Sequence, residues 1–415
     1  MQLGKYSIGV GDRFGMQAKS QLDAIIEARS RAVCVVPVWN KSYREHSIIG
    51  TKPADVRAAV ETAVRDYAFT GEYHVDADHI NMKNVDVFLD ACDFFTLDVA
   101  DFSGKPAEAQ ALRDFLQRHE GLVGRPLRID GIEGELCVSI DEAEAIASKY
   151  LLAVQEAGKL YRHIAAKKGE GNFIAEVSMD ETDLAQTPVD MLFILAAIAD
   201  EGIPAQTIAP KFTGRFNKGV EYVGDLQQFE KEFNQDLAII RYAINKFNLP
   251  GNLKLSIHSG SDKFAIYPIM RAAIRKFEAG LHLKTAGTSW LEELIGMAGV
   301  GDDGLEMARH IYAQAYERFD ELCKPYATVI DINTVELPTP AVVNTWSAEQ
   351  YCAALRHDQS NPAYNPNFRQ MLHVAFKVAA ELGEDYLDMV SKYEVEIGKN
   401  VCENIFERHI KRIFL

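Results

Sequence analysis

Short runs rich in β-branched or aromatic residues recur along the chain as far as about Cys323, each bounded by Gly, Asp, Asn or Ser. They fall at 5–11 (KYSIGVG), 32–39 (AVCVVPVW), 73–79 (YHVDADH), 94–101 (FFTLDVAD), 172–179 (NFIAEVSM), 204–211 (PAQTIAPK), 253–259 (LKLSIHS) and 281–287 (LHLKTAG). Length, composition and punctuation mark them as strands. Between them, 17–30, 53–68, 188–201, 226–247 and 263–278 carry helical spacing. Leu22, Ile25 and Ile26 share one face of the first, and Val56, Val60 and Val64 recur at every fourth position of the second. Eight β/α pairs in succession predict an α/β fold of the closed (β/α)8, TIM-like type rather than an open doubly wound sheet.

Two regions break the repeat. Residues 103–171 are too long for one β/α connection. They hold a helix near 107–119, a hairpin around PLRIDGIEGELCV and a helix from Asp141 to about Lys168. From 326 to 415 the pattern is mostly helical, interrupted by the extended stretch VELPTPAVVN and the loop RHDQSNPAYNPNF. The expected organisation is a catalytic barrel over 1–325, an insertion after strand four at about 103–171, and a helical extension over 326–415 packed on the barrel. No low-complexity linker separates these parts.

The 415 residues carry 44 Lys+Arg against 60 Asp+Glu, a formal net charge of -16. So acidic a surface argues against nucleic acid or an anionic lipid surface as partner. No apolar run approaches the roughly 20 residues that cross a bilayer. The N-terminal MQLGKYSIGVGDRFG lacks the apolar core of a signal peptide. Six scattered cysteines form no CxxC pair, and those in ACDFF and AVCVVPV read as small hydrophobes. The expectation is a cytoplasmic enzyme acting on a small molecule, and barrels of this size commonly self-associate.

In such a barrel, chemistry sits at the C-terminal ends of the strands. Those positions carry Asp12 and Arg13; Asn40 and Lys41; Asp76, Asp78 and His79; Asp98 and Asp101; Glu176, Asp180 and Glu181; Lys211; His258 and Ser259; Lys284 and Thr285. In HVDADHI, strand alternation points Asp76 and Asp78 one way and His79 the other, and a turn after the strand can re-aim His79. An adjacent Asp–His pair suits a metal-bound substrate, the imidazole ligating while the carboxylate moves a proton; a solvated loop start or helix cap is the plainer alternative. In SIHSGSDKF, His258 is either a second ligand or a satisfied core histidine, and Ser261 and Asp262 read as caps of the next helix. Two strand-end histidines on one rim favour shared ligation.

The segment APKFTGRFNKGVEYVGD is too polar for a core, and its Lys211, Arg215 and Lys218 suit an anionic substrate. Asp225 either completes a metal site, which usually has three protein ligands, or caps the helix beginning at Leu226. Glu176 and Glu181 offer a second acid/base across the barrel, or one of them pairs with a neighbouring lysine. Trp39 and Trp290 wall a sugar or lie in the core, and Arg356, His357 and Asp358 close the site from the extension or form a surface loop. GVGDRFG is no GxGxxG fingerprint, and neither GxxxxGK[ST] nor GxSxG occurs.

Taken together, YHVDADHI, TLDVADF, APKFTGRFNKGVEYVGD, SIHSGSDKF, KTAGTSW and LRHDQSNPAYNPNFRQMLHVAFK resemble the tagaturonate/fructuronate epimerase family, which includes enzymes acting on tagatose and fructose. The likeness runs from strand one into the extension. It implies a divalent-metal enzyme of hexuronate catabolism interconverting D-tagaturonate and D-fructuronate. DADH and HSGS also resemble, more remotely, the class II fructose-bisphosphate aldolases, whose motifs imply His79 and His258 as ligands and Asp78 as acid/base. Those aldolases draw a third histidine from the sixth strand region; none stands there, so Asp225 takes that place. Mixed His and carboxylate ligands suit Zn, Mn, Fe, Co or Ni.

The two uronates differ at a carbon two bonds from the ketone, whose C–H the carbonyl does not acidify, so retro-aldol cleavage and re-addition fits better than deprotonation. Asp78 is then one proton-transfer group and Glu181 or Glu176 the other, with Lys211, Lys263 and Lys284 facing the substrate carboxylate and Ser259, Arg356 and His357 completing the substrate contacts. A 4-epimerase of neutral ketohexoses, a true metal-dependent aldolase and a non-catalytic barrel subunit are the competing readings.

Overall fold

The computed structural model describes residues 1–180, 182, 184–285 and 288–415. Eight parallel strands close into a barrel: β1 (Tyr6–Gly11), β2 (Val35–Ser42), β3 (His74–Ile80), β4 (Phe94–Asp98), β5 (Ile174–Ser178), β6 (Thr207–Ala209), β7 (Lys254–His258) and β8 (Leu281–Lys284). Each pairs with its neighbours in sequence, and β8 returns to β1 with Ile8 beside Leu283 and Gly9 beside Lys284. All eight strands fall on the predicted runs and six lie within them, while β2 starts at Val35 and continues through Asn40, Lys41 and Ser42 and β3 continues to Ile80. A strand wrapped by helices outside and side chains inside must be apolar over most of its length.

The inner face climbs from apolar to charged. Leu3, Val36, Val38, Phe94 and Ile174 form a small cluster of their own inside the barrel, and above them stand Asp76, Thr96, Glu176 and Lys284. Gly9 makes this crossing possible. A Cβ there would lie 2.8 Å from Lys284 Cγ and 3.3 Å from its Cα, so only glycine lets the lysine stem lean across β1.

The helix Pro188–Asp200 is buried almost all round because it lies between the helices Ile140–Lys168 and Leu226–Phe247. The helix Thr288–Val300 is equally buried, under Ala348–Leu355 and Glu394–Glu403 of the C-terminal region. Residues 103–171 contain the helix Ala109–Arg118, an antiparallel pair joining Pro126–Leu127 to Leu136–Cys137, and the long helix. The stretch VELPTPAVVN is not fully extended: Pro340–Val343 form a short helix, with proline at its first turn where no amide donor is needed. Cys92 is buried, but Cys34, also in an apolar run, is exposed. Trp39 and Trp290 are core residues, their indole N–H groups held by Gln21 and by the Leu372 carbonyl. Among the described residues no helix is long and apolar enough to cross a membrane.

Candidate active site

The end of β3 is bent by design. Its register against β4 shifts between Ala77 and Ile80, and His79 takes φ 51°. A bulge inserts one residue and re-aims a side chain; here it turns His79 to the same side as Asp78, whose Oδ1 lies 2.9 Å from His79 Nδ1. The other ring nitrogen, Nε2, is buried without a hydrogen bond and points toward Asp180, 3.4 Å from its Oδ1. Across the mouth, His258 at the end of β7 repeats the arrangement in mirror order. Its Nε2 lies 2.8 Å from Glu176 Oε1, while Nδ1 has no aligned hydrogen bond and stands 3.0 Å from Asp180 Oδ2. The two rings are 5.1 Å apart.

Asp180, two residues past β5, is steadied by the Ser178 hydroxyl at 2.5 Å. One donor atom each from His79, Asp180 and His258 lies within 4.8 Å of the others, a set able to hold a metal ion. The test of fit is the pair of orphaned ring nitrogens. Each imidazole is fixed through one nitrogen by a carboxylate and presents the other to the same point, the arrangement by which metal-ligating histidines are oriented.

Beneath this set Lys284 ties the two bracing carboxylates together. Its Nζ lies 2.8 Å from Asp76 Oδ2, 2.8 Å from Asp78 Oδ1 and 3.0 Å from Glu176 Oε1, and 2.5 Å from Thr96 Oγ1. Burial works against ionising Asp78 and Glu176, but Lys284 together with His79 or His258 outweighs it and holds both carboxyls well below their usual range. Asp180 is held low against burial by His258 and His79. Burial pushes Asp76 up to about 7 despite Lys284, with Asp78 and Glu176 adding to the rise.

A family model described as UxaE, tagaturonate epimerase, matches residues 1–413. This chain belongs to the tagaturonate epimerase family. The tagaturonate/fructuronate epimerase of Thermotoga maritima is 28% identical over 423 residues, covering 97% of this chain and 80% of that protein. A glycerol complex of fructuronate-tagaturonate epimerase UxaE from Cohnella laeviribosi matches with a TM-score of 0.82 at 22% identity, over 100% of this chain and 82% of that one. A probable tagatose 6 phosphate kinase from Sinorhizobium meliloti 1021 matches with a TM-score of 0.51 at 10% identity, over 98% of this chain and 100% of that one. At such identities these two structures speak for the fold alone.

Within this epimerase-family barrel the residues singled out from sequence separate cleanly. His79, His258, Asp78, Glu176 and Lys284 meet at the mouth; Glu181 lies outside the described residues. Asp225 does not join them. It is the N-cap of the helix Leu226–Phe247, its Oδ1 accepting from the amides of Gln227 (2.8 Å) and Gln228 (3.3 Å), and Asp180 stands in the set where Asp225 was expected. Lys284 is not free for a substrate carboxylate, being enclosed by three protein carboxylates. Lys211 donates its ammonium to the Thr182 carbonyl, and Lys263 donates to the Asn217 carbonyl (2.9 Å) and Ser261 Oγ (3.1 Å). Ser259 donates to the Lys284 carbonyl at 2.7 Å, tying β7 to β8.

Asp262 caps nothing. The next helix starts at Tyr267 without a side-chain cap, and Asp262 is instead buried against Arg369 (3.0 Å), His357 (3.4 Å) and His409 (3.3 Å) of the C-terminal region. His357 stacks on Phe264, and Arg356 bonds Asn400 at 2.5 Å. Both fasten the C-terminal region rather than reach the histidine pair. Asp180 was legible only as one acid of MDETD at a strand end; its place between the two histidines was not.

Proposed function

We propose that this chain interconverts D-tagaturonate and D-fructuronate at the barrel mouth, with a divalent metal held by His79, Asp180 and His258, through retro-aldol cleavage and re-addition. The observation carrying this reading is the convergence of two carboxylate-braced imidazoles and Asp180 on one point at the C-terminal end of the barrel. The donor set suits Zn, Mn, Fe, Co or Ni. A bound divalent ion supplies Lewis acidity to an oxygen that gains negative charge.

The chain's own groups divide the remaining work by access. Glu176 is 0% exposed and bonded to His258, Lys284 and Thr96, so it braces His258 and stays away from substrate. Asp78 is 6% exposed at the mouth and kept ionised, which makes it the acceptor for the proton of the hydroxyl on the carbon to be inverted. As that O–H loses its proton, the adjacent carbon–carbon bond breaks, and its electron pair passes to the three-carbon fragment bearing the ketone. The aldehyde fragment rotates, the bond re-forms on its other face, and Asp78 returns the proton. Lys284 holds Asp78 in place from below.

The test is NMR of D-tagaturonate in heavy water with metal-loaded and chelated protein. D-fructuronate forming only in the loaded sample, without deuterium at the inverted carbon, is the expected result, with dihydroxyacetone and tartronate semialdehyde trapped in small amount. No conversion rejects the uronate assignment and directs the same assay to tagatose and fructose. Deuterium at the inverted carbon rejects cleavage.

A further inference from the structure

A uronate differs from its neutral ketohexose by one terminal carboxylate, and three lysines that sequence offers for it are already engaged within the protein. Lys218 is not. It is half-buried, and among the described residues its ammonium has no hydrogen bond and no ion pair. Its stem runs over Gly260, where a Cβ would lie 3.1 Å from Lys218 Cδ and 3.4 Å from Nζ. Gly260, at φ 65°, is two residues beyond His258, so the ammonium is delivered beside a candidate metal ligand.

Next to Lys218 the C-terminal region contributes His373. It packs against Gly219, where a Cβ would lie 3.4 Å from His373 Cβ, and both of its ring nitrogens are buried without a hydrogen-bond partner. The charges facing this ring are Arg13, Lys218, Arg369 and Lys263, all cationic. Three of them are spoken for: Arg13 pairs with Glu45, Arg369 with Asp262, and Lys263, bonded to Asn217 and Ser261, also faces Glu221. Arg13 is further fixed by stacking on Phe376 at 3.9 Å. What is left is one uncompensated positive charge and an imidazole with a free nitrogen. That is the complement of a monoanion with two acceptor oxygens, and it is too little charge for a phosphate dianion.

We propose that Lys218 and His373, backed by Arg13, form the subsite that binds the terminal carboxylate of the uronate and so separates sugar acids from neutral ketohexoses. The inference rests on the epimerase reading above, and its test keeps the two apart. Steady-state kinetics of wild type, Lys218→Met, Lys218→Arg and His373→Asn are compared on D-tagaturonate and on D-tagatose. Losing one charge-assisted contact raises KM for tagaturonate about 10- to 100-fold in Lys218→Met, with a smaller change in kcat. Lys218→Arg keeps most of the affinity, His373→Asn raises KM in the same direction, and any turnover of tagatose changes less than that of tagaturonate.

Thermal melts and bound-metal content accompany each variant, so that a folding defect is seen as such; if Lys218→Met misfolds, His373→Asn carries the test. An unchanged KM for tagaturonate in a folded Lys218→Met protein overturns the subsite while leaving the epimerase reading intact. A wild type inactive on tagaturonate overturns both.

Discussion

Replacing Lys284 with methionine tests the electrostatic core of the site. Methionine fills much of the same crossing over Gly9 but removes the ammonium that lies 2.8–3.0 Å from Asp76, Asp78 and Glu176. Removing one partner of a buried ion pair leaves an uncompensated charge and costs about 3–5 kcal/mol. Unfolding entropy of about 2.1 cal/mol/K per residue, over a chain of 415 residues, gives about 0.9 kcal/mol/K. The melting temperature of Lys284→Met should therefore fall by about 3–6 °C, read by scanning calorimetry on metal-free protein. The pairing of Lys284→Met with Glu176→Gln should recover part of the loss, because one of the two carboxylates held ionised beside Lys284 is gone. A melting temperature equal to or above wild type would refute the view that Lys284 is the counter-ion of this cluster, and a double variant less stable than Lys284→Met would refute the charge argument while leaving the packing.

Three further outcomes follow from the same geometry. Glu176→Gln takes the charge from the group bracing His258 and should weaken metal binding about 10- to 100-fold in chelator competition; unchanged affinity would show that His258 needs no brace. Asp225→Ala should leave metal content as it is and cost about 0.5–2 kcal/mol in denaturant unfolding, the value of a helix N-cap, whereas metal loss would return Asp225 to the ligand set.

The third outcome concerns Glu293, buried beside Tyr386, whose hydroxyl donates to it at 2.7 Å. Burial first, then the Asp12 carboxylate, pushes it up to about 8. Between its ordinary 4.5 and about 8 the folded protein holds a proton that the unfolded chain releases, so this group lowers stability as pH rises through that window. Glu293→Gln should gain thermal stability relative to wild type more at pH 8 than at pH 5, and an equal difference at both would contradict the shift.

Much of the barrel was written in local pattern. A strand buried on both faces needs an apolar run, and a polar residue at its C-terminal end finds its partners among the other strand ends that meet at the mouth. That boundary is why His79 and His258 could be picked out as a pair. The same logic did not reach Asp262, since a polar residue just after a strand serves equally as a cap or as a long-range partner, and only the position of Arg369 decides which.

By itself the sequence determined the number and order of the strands, the side of the barrel on which ionisable groups collect, and the two histidines that end strands on that rim. Periodicity and burial act over a few residues, so they leave a local trace. Tertiary structure alone decided that a bulge turns His79 toward Asp78, that Asp180 rather than Asp225 stands with the two histidines, and that Lys284 is enclosed by protein carboxylates. Lys284 and Asp78 are 206 positions apart, and Glu176 and His258 are 82 apart. Such contacts exist only once the sheet has closed on itself, because closure sets which strand ends face one another across the mouth.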